Sequence, residues 1–238
     1  MLNFKKTNIV FSAVFFIIIF MRIYIPFSNT WFFVLFFIYA LILFLGSKNI
    51  CSQFYTEVKC RYDDKSRIYL TFDDGPDKKI TPRILEILKK YNVKATFFCI
   101  GKKAETYPNI LKQIAEEGHV VGNHSYSHSL YFDFFGTAKI LKELKKTNRT
   151  VKQITGEECK VFRPPYGVTN PNIARAVKKT GMQVVGWSIR SFDTVKNKKQ
   201  VMKRLQKAQN GDIILFHDTK EQTPEILDEF LRSYKQSK

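Results

Sequence analysis

From residue 67 onward, short runs rich in β-branched and aromatic residues alternate with stretches whose apolar residues recur at helical spacing. That alternation constrains the fold more than any other feature. Parallel strands must be joined by long crossovers, helices supply them, and the product is a parallel sheet covered by helices. The pattern predicts strands at 67–72, 95–100, 119–122, 161–162, 183–187 and 212–216. It predicts helices at 81–91, 108–117, 136–154, 171–180, 196–209 and 224–234. Pro82 suits a first helical turn, and Gly118 and Gly181 stand where helices stop. Polar clusters fall just after the strands, the end at which a β/α barrel carries its active site. A distorted (β/α) barrel is therefore expected over residues 67–238, preceded by a polar linker at 51–66.

Two of those clusters carry distinctive chemistry. Thr71-Phe72-Asp73-Asp74-Gly75-Pro76 supplies adjacent carboxylates, and His124-Ser125-Tyr126-Ser127-His128 supplies two imidazoles four residues apart. Two His and one carboxylate make a three-ligand metal site that leaves a coordination position open. The second carboxylate is then free to act as a base, which is the kit for metal-assisted hydrolysis. His119, next to Gly118, is read as structural.

Two further motifs follow in order, Arg163-Pro164-Pro165-Tyr166-Gly167 and Ile213-Ile214-Leu215-Phe216-His217-Asp218. Together the four motifs resemble those of the NodB-type polysaccharide deacetylases, carbohydrate esterase family 4, over about residues 67–234. The resemblance implies a deacetylase-type barrel that hydrolyses the N-acetyl group of amino sugars in a polysaccharide, peptidoglycan or a related glycan. It implies Asp74, His124 and His128 as ligands of a divalent ion, zinc first, with cobalt or nickel also accepted by such a donor set. Asp73 is implied as general base, Arg163 as its partner and His217 as general acid. Tyr166 is implied as an oxyanion contact through its backbone N–H, and Trp187 and Leu215 as apolar walls around the acetyl methyl. One stretch departs from the pattern. After Trp187 the family usually carries two Asp and a Trp, whereas Arg190 stands where the first Asp is common and Thr194 where the Trp is common. A cation at 190 is expected to lower the His217 pKa, with Asp193 or Asp218 left to compensate. Two rival readings are carried: a deformylase or deacetylase of a lipid-linked sugar at the cytoplasmic membrane face, and an inactive glycan-binding protein on the same fold.

Residues 1–50 are a separate problem. They hold two apolar runs, 9–27 and 31–45, with a turn-like Ser28-Asn29-Thr30 between them. A retained membrane anchor, as a helical hairpin, is expected. No small-x-small cleavage site follows, as a signal peptide would require. Lys5 and Lys6 favour a cytoplasmic amino terminus, so a full hairpin returns the domain to the cytoplasm, whereas a single span puts it outside. The expected location is the cell membrane, with the domain on the outer side.

Net charge is +18 from 39 basic and 21 acidic residues. Only four of the basic residues and none of the acidic ones lie in the first fifty, so the remainder keeps about +14 on its own. Such a balance suits an anionic membrane or wall polymer, and no Arg-rich run argues for nucleic acid. Of Cys51, Cys60, Cys99 and Cys159, none forms a CxxC pair. Cys99 reads as a buried small hydrophobe. Cys51 and Cys60 are compatible with either a bridge or two free thiols.

Overall fold

The computed structural model describes residues 3–25 and 28–236. Nine α-helices and eight strands are described. Helices α1 (Phe4–Tyr24) and α2 (Thr30–Lys48) come first, then strands β1 (Val58–Lys59) and β2 (Tyr69–Asp73). The alternating part continues with α3 (Ile80–Lys90), β3 (Ala95–Cys99), α4 (Gly101–Thr106), α5 (Pro108–Glu116), β4 (Val120–Asn123), α6 (Thr137–Thr155) and β5 (Val161–Phe162). It ends with α7 (Pro171–Thr180), β6 (Gln183–Val185), β7 (Ile189–Arg190), α8 (Lys198–Leu205), β8 (Ile213–His217) and α9 (Thr223–Gln236).

The eight strands form one curled parallel sheet in the order β1-β6-β5-β4-β3-β2-β8-β7. The expected α/β class holds, but the barrel is open. No ladder joins β7 to β1 among the described residues, so the sheet is a half-barrel. Most predicted elements lie within a few residues of their expected ends. The short helix α4, the strand β7 and the strand β1 were not expected.

Strand β1 changes the reading of residues 51–66. This stretch, expected as a linker, adds a strand to the sheet edge: Val58 pairs with Val184 and Lys59 with Val185. A Cys51–Cys60 disulfide and an ion pair from Arg61 to buried Asp212 hold it there. The signal in sequence is weak, because two residues of β-structure between polar neighbours carry no visible alternation.

The period of two along each strand separates core from site. On β2, Leu70 and Phe72 face the helices, and Phe72 stacks between Phe97 and Phe216 at centroid distances of 5.0 and 5.7 Å. Thr71 and Asp73 point to the concave side. The helices bury their apolar stripes against the core, as with Ile84, Leu85 and Leu88 of α3. Cys99 is fully buried, as expected. His119 is structural: its Nδ1 accepts from Ala95 N, its ring meets Phe97 edge-on, and burial pushes its pKa down to about 4, so it stays neutral.

Helices α1 and α2 are each long and apolar enough to cross a membrane. They pack antiparallel through Asn8–Tyr39, Phe11–Tyr39 and Phe15–Phe32 contacts. Pro26 and Phe27, the end of the first apolar run, lie outside the described residues.

Candidate active site

The site is assembled at the carboxyl ends of β2, β4, β5 and β8, from loops that cannot be regular. Asp74, Ser125, His128 and Tyr166 all have positive φ without being glycine. Such conformations cost of order 1–3 kcal/mol each and persist where packing and hydrogen bonds over-determine them. Here the bonds are visible. Glu143 of α6 accepts from Tyr126 N, Ser127 N and the Ser127 hydroxyl, and Asn123 Oδ1 accepts from Ser125 N, clamping the loop between the two histidines. Neither Glu143 nor Asn123 was picked out from sequence. A carboxylate on the inner face of an otherwise Lys-rich helix is the only hint.

Asp74 Oδ1 lies 3.5 Å from His124 Nε2 and 3.3 Å from His128 Nε2. One ligand atom from each of the three falls within 4.8 Å of the others. Ligands about 2.0–2.2 Å from a tetrahedral ion stand about 3.3–3.6 Å apart, so the donor set fits one divalent ion. His124 is also pre-set for the task. Its Nδ1 is 2.7 Å from the Arg163 carbonyl oxygen, which fixes the proton on Nδ1 and turns the Nε2 lone pair toward Asp74. Burial works to raise the Asp74 pKa, but the hydrogen bond and charge of His124, with His128 and His217 adding, hold it far below the usual carboxylate range.

Asp73 is buried beside this group, its Oδ2 3.9 Å from His124 Nε2. Its other oxygen accepts from Arg163 NH1 at 2.7 Å. Arg163 is itself completely buried, a costly state for a charge unless every donor is used. NH1 also donates to the Thr71 hydroxyl, Nε to the Val185 carbonyl and NH2 to the Gly186 carbonyl. The guanidinium stacks over Phe98 at 4.2 Å, with Trp187 at 5.5 Å. Arg163 is thus locked in one orientation against Asp73.

His217 stands next to Asp73 in the β2–β8 register. Its Nδ1 is 2.9 Å from Asp193 Oδ1, and its backbone N–H donates to Asp193 Oδ2. Ser191 and Thr223 hydroxyls donate to the same carboxylate. Burial works to lower the His217 pKa, yet the Asp193 hydrogen bond and charge, joined by Asp73 and Asp74, raise it above the ordinary value. Asp193 in turn is held low despite burial, chiefly by His217.

This arrangement corrects the expectation about residue 190. Arg190 is exposed and lies over the rings of Trp187 and Phe192, away from the imidazole. Asp193, at the second of the two Asp positions, orients His217, so the cation at 190 does not depress it. Asp218 is not the compensator either. Its side chain accepts from Thr81 and packs against Gly75, and burial pushes its pKa up to about 7.

The remaining expected residues also gather here. Tyr166 is half-exposed at φ 60°, its ring 5.0 Å from that of His128. Leu215 is buried two residues before His217 on the same face of β8. Trp187 is half-buried beneath Gly167, where a Cβ would collide with the indole ring and where φ is +69°. Only glycine lets that loop close over the tryptophan.

The pattern of the family described as Polysaccharide deacetylase matches residues 61–185. The chain is 39% identical over 168 residues to a peptidoglycan-N-acetylglucosamine deacetylase of Bacillus cereus, covering 66% of this chain and 57% of that one. The chain therefore spans little more than half the length of that relative. Among solved structures, peptidoglycan deacetylase PdaC from Bacillus subtilis superposes with a TM-score of 0.68 at 34% identity, over 73% of this chain and 85% of that one. A CE4 family pseudoenzyme from Bacillus anthracis superposes with a TM-score of 0.69 at 30% identity, over 75% and 64%.

Proposed function

The chain belongs to the polysaccharide deacetylase family, and from that membership we propose that it is a hydrolase of non-peptide carbon–nitrogen bonds, removing acetyl groups from N-acetylated amino sugars of peptidoglycan or a related glycan. The observation that carries this reading is the joint geometry of the Asp74-His124-His128 donor set with Asp73 and His217 on either side of it.

A divalent ion held by Asp74, His124 and His128, zinc by donor chemistry, supplies Lewis acidity toward the acetyl carbonyl and acidifies water. Asp73 takes the proton of the attacking water. Arg163 pairs with Asp73 and fixes the oxygen that does not face the site. The Tyr166 backbone N–H, turned by its left-handed conformation, donates to the oxygen that becomes negative. His217, kept protonated by Asp193, delivers a proton to the departing amine, which is a poor leaving group without it. Leu215 and Trp187 wall a space suited to a methyl group. Acetate and a free amino sugar leave.

We read residues 1–50 as a membrane anchor and 67–238 as the catalytic domain, with 51–66 tying the two together. The Cys51–Cys60 disulfide supports an oxidising compartment and so the outer face. A second reading rests on the antiparallel packing of α1 and α2, which puts Lys5, Lys6 and Lys48 at the domain end and favours the cytoplasmic face. There the substrate would be a lipid-linked sugar. The inactive-binder reading is disfavoured by the complete set of metal donors, base and acid.

The experiment is acetate release from N-acetylated chitooligosaccharides and from peptidoglycan, with and without chelator. Chelator-sensitive release is expected; affinity for the glycan with no release at any metal load would reject the hydrolase. Phosphatase and fluorescent reporters fused at Lys238 decide the face.

A further inference from the structure

The loop between His128 and α6 carries three large apolar side chains in the open: Leu130 is 79% exposed, Tyr131 70% and Phe134 85%. On the domain, no other short segment exposes so much among the described residues, and α6 itself is polar outward. A run of this kind on a soluble surface marks a partner.

Its position says which partner. Helices α1 and α2 stand clear of the domain, with only Thr7 and Gly46, near their domain ends, buried. The last turn of α2 meets the catalytic rim directly. Ser47 Oγ donates to the Thr169 carbonyl at 2.7 Å, and Thr169 N donates back to the Ser47 carbonyl. The next residue, Asn170, donates through Nδ2 to the Asp133 carbonyl at 2.7 Å, inside the apolar loop. Two hydrogen-bonded steps thus lead from the end of the apolar hairpin to Phe134. Cations border the same area. Lys139 Nζ sits 3.5 Å over the Phe135 ring, Arg175 reaches Thr137, and Lys48 ends α2. Aromatic side chains flanked by Lys and Arg at the end of apolar helices are the composition of a membrane–water interface.

We propose that Leu130, Tyr131 and Phe134 insert into the headgroup region of the bilayer, seating the catalytic rim against the membrane, so that the amide hydrolysed belongs to a saccharide presented at the membrane surface. The inference rests on reading residues 1–50 as an anchor and on the deacetylase function. His128, two residues before Leu130, and Tyr166, three before Thr169, lie on the same two loops. The anchor therefore fixes the distance from the bilayer to the reacting groups.

The test uses the full chain in nanodiscs of zwitterionic and anionic phospholipid. An environment-sensitive fluorophore is placed in turn at Phe134→Cys, at Phe37→Cys on α2, and at Lys89→Cys at the far end of α3. The native free cysteines, Cys99 and Cys159, are buried. Lipid-like emission with quenching by headgroup-level quenchers is expected at 134, deep quenching at 37, and water-like emission at 89. Water-like emission at 134 with deep quenching at 37 overturns the proposal while the anchor stands. Water-like emission at both overturns the anchor and the proposal with it. In a second arm, the triple replacement of Leu130, Tyr131 and Phe134 by Ser should lower turnover of an acetylated chitooligosaccharide tethered to lipid at least tenfold. Turnover of the same oligosaccharide free in solution should change less than twofold. Equal loss on both substrates, or loss on neither, overturns the proposal. A wild-type chain that turns over neither substrate fails the deacetylase reading instead, and the fluorescence arm then still decides the bilayer contact.

Discussion

Replacing Asp193 by Asn removes the charge that faces His217 while keeping the shape of the side chain. In the native chain the two groups meet at 2.9 Å, both nearly out of solvent. An opposite charge at this range moves a pKa by about 1–3 units, or about 1.4–4 kcal/mol between the protonation states. With the carboxylate gone, burial, which works to lower the His217 pKa, is opposed only by the more distant Asp73 and Asp74. The imidazole proposed as the general acid is then less readily protonated. The alkaline limb of the kcat profile should move down by about 1–3 units, and kcat at pH 7.5 should fall by about 10- to 100-fold, within the range a general acid contributes. KM and bound metal should change little, because Asp193 touches neither. The stability consequence has a definite sign. The native His217 pKa is raised, so its share of stability is full below about 6.5, the ordinary value, and is lost as pH rises through the folded pKa. The Asp193 pKa is lowered, so its share is present above about 3.9 and is lost as pH falls through the folded pKa. The deficit in Tm of Asp193→Asn should therefore be greatest near pH 5–6 and shrink in alkali. A loss of about 1–3 kcal/mol remains at every pH, because an amide whose oxygen accepts from the His217 backbone N–H and the Thr223 hydroxyl turns its NH2 toward the Ser191 hydroxyl and His217 Nδ1, where the carboxylate offered a second acceptor. Stopped assays of acetate release across pH 5–10, with metal content by plasma emission, check all of this. An unchanged alkaline limb with a full metal load would refute the role given to the pair.

Three other outcomes are expected. Asp73→Asn should lose turnover by about a thousandfold or more yet hold its metal, whereas His124→Ala should lose both, as metal analysis beside acetate release will show. Glu143→Ala leaves Tyr126 N, Ser127 N and the Ser127 hydroxyl without their acceptor and should weaken metal affinity by about 10- to 100-fold, read by competition with a chromophoric chelator. Gly167→Ala meets both a positive φ and the Trp187 ring; a loss of about 2–4 kcal/mol in denaturant unfolding is expected, and a change under 0.5 kcal/mol would mean that the loop relaxes freely.

The chemistry-bearing residues were legible because their types are rarely combined by chance. Adjacent carboxylates, histidines four apart, an Arg before two prolines and a His closing an apolar strand each fall at a strand end, and the strands themselves follow from periodicity. What the chain alone misassigned are relations between distant segments. The departure at 190 left Asp193 or Asp218 as the group to offset a cation near His217, yet β7 ends with Arg190 outward, and the turn that follows brings Asp193, not Asp218, under the imidazole. Residues 51–66 look like a linker because their strand is two residues long and gains its meaning only from pairing with β6. Glu143 and Asn123 carry no local mark of their roles; each acts through hydrogen bonds to backbone groups that only the folded loop presents.

Sequence thus determined the layer architecture, the apolar amino-terminal pair of helices and the inventory of reactive groups, since these depend on local periodicity and on side-chain type. Tertiary structure decided which carboxylate serves which imidazole, how buried Arg163 places four hydrogen bonds around Asp73, and that the amino-terminal apolar helices end beside the candidate site. Those outcomes turn on distances of 2.6–3.5 Å between residues tens of positions apart, and no periodicity along the chain encodes them.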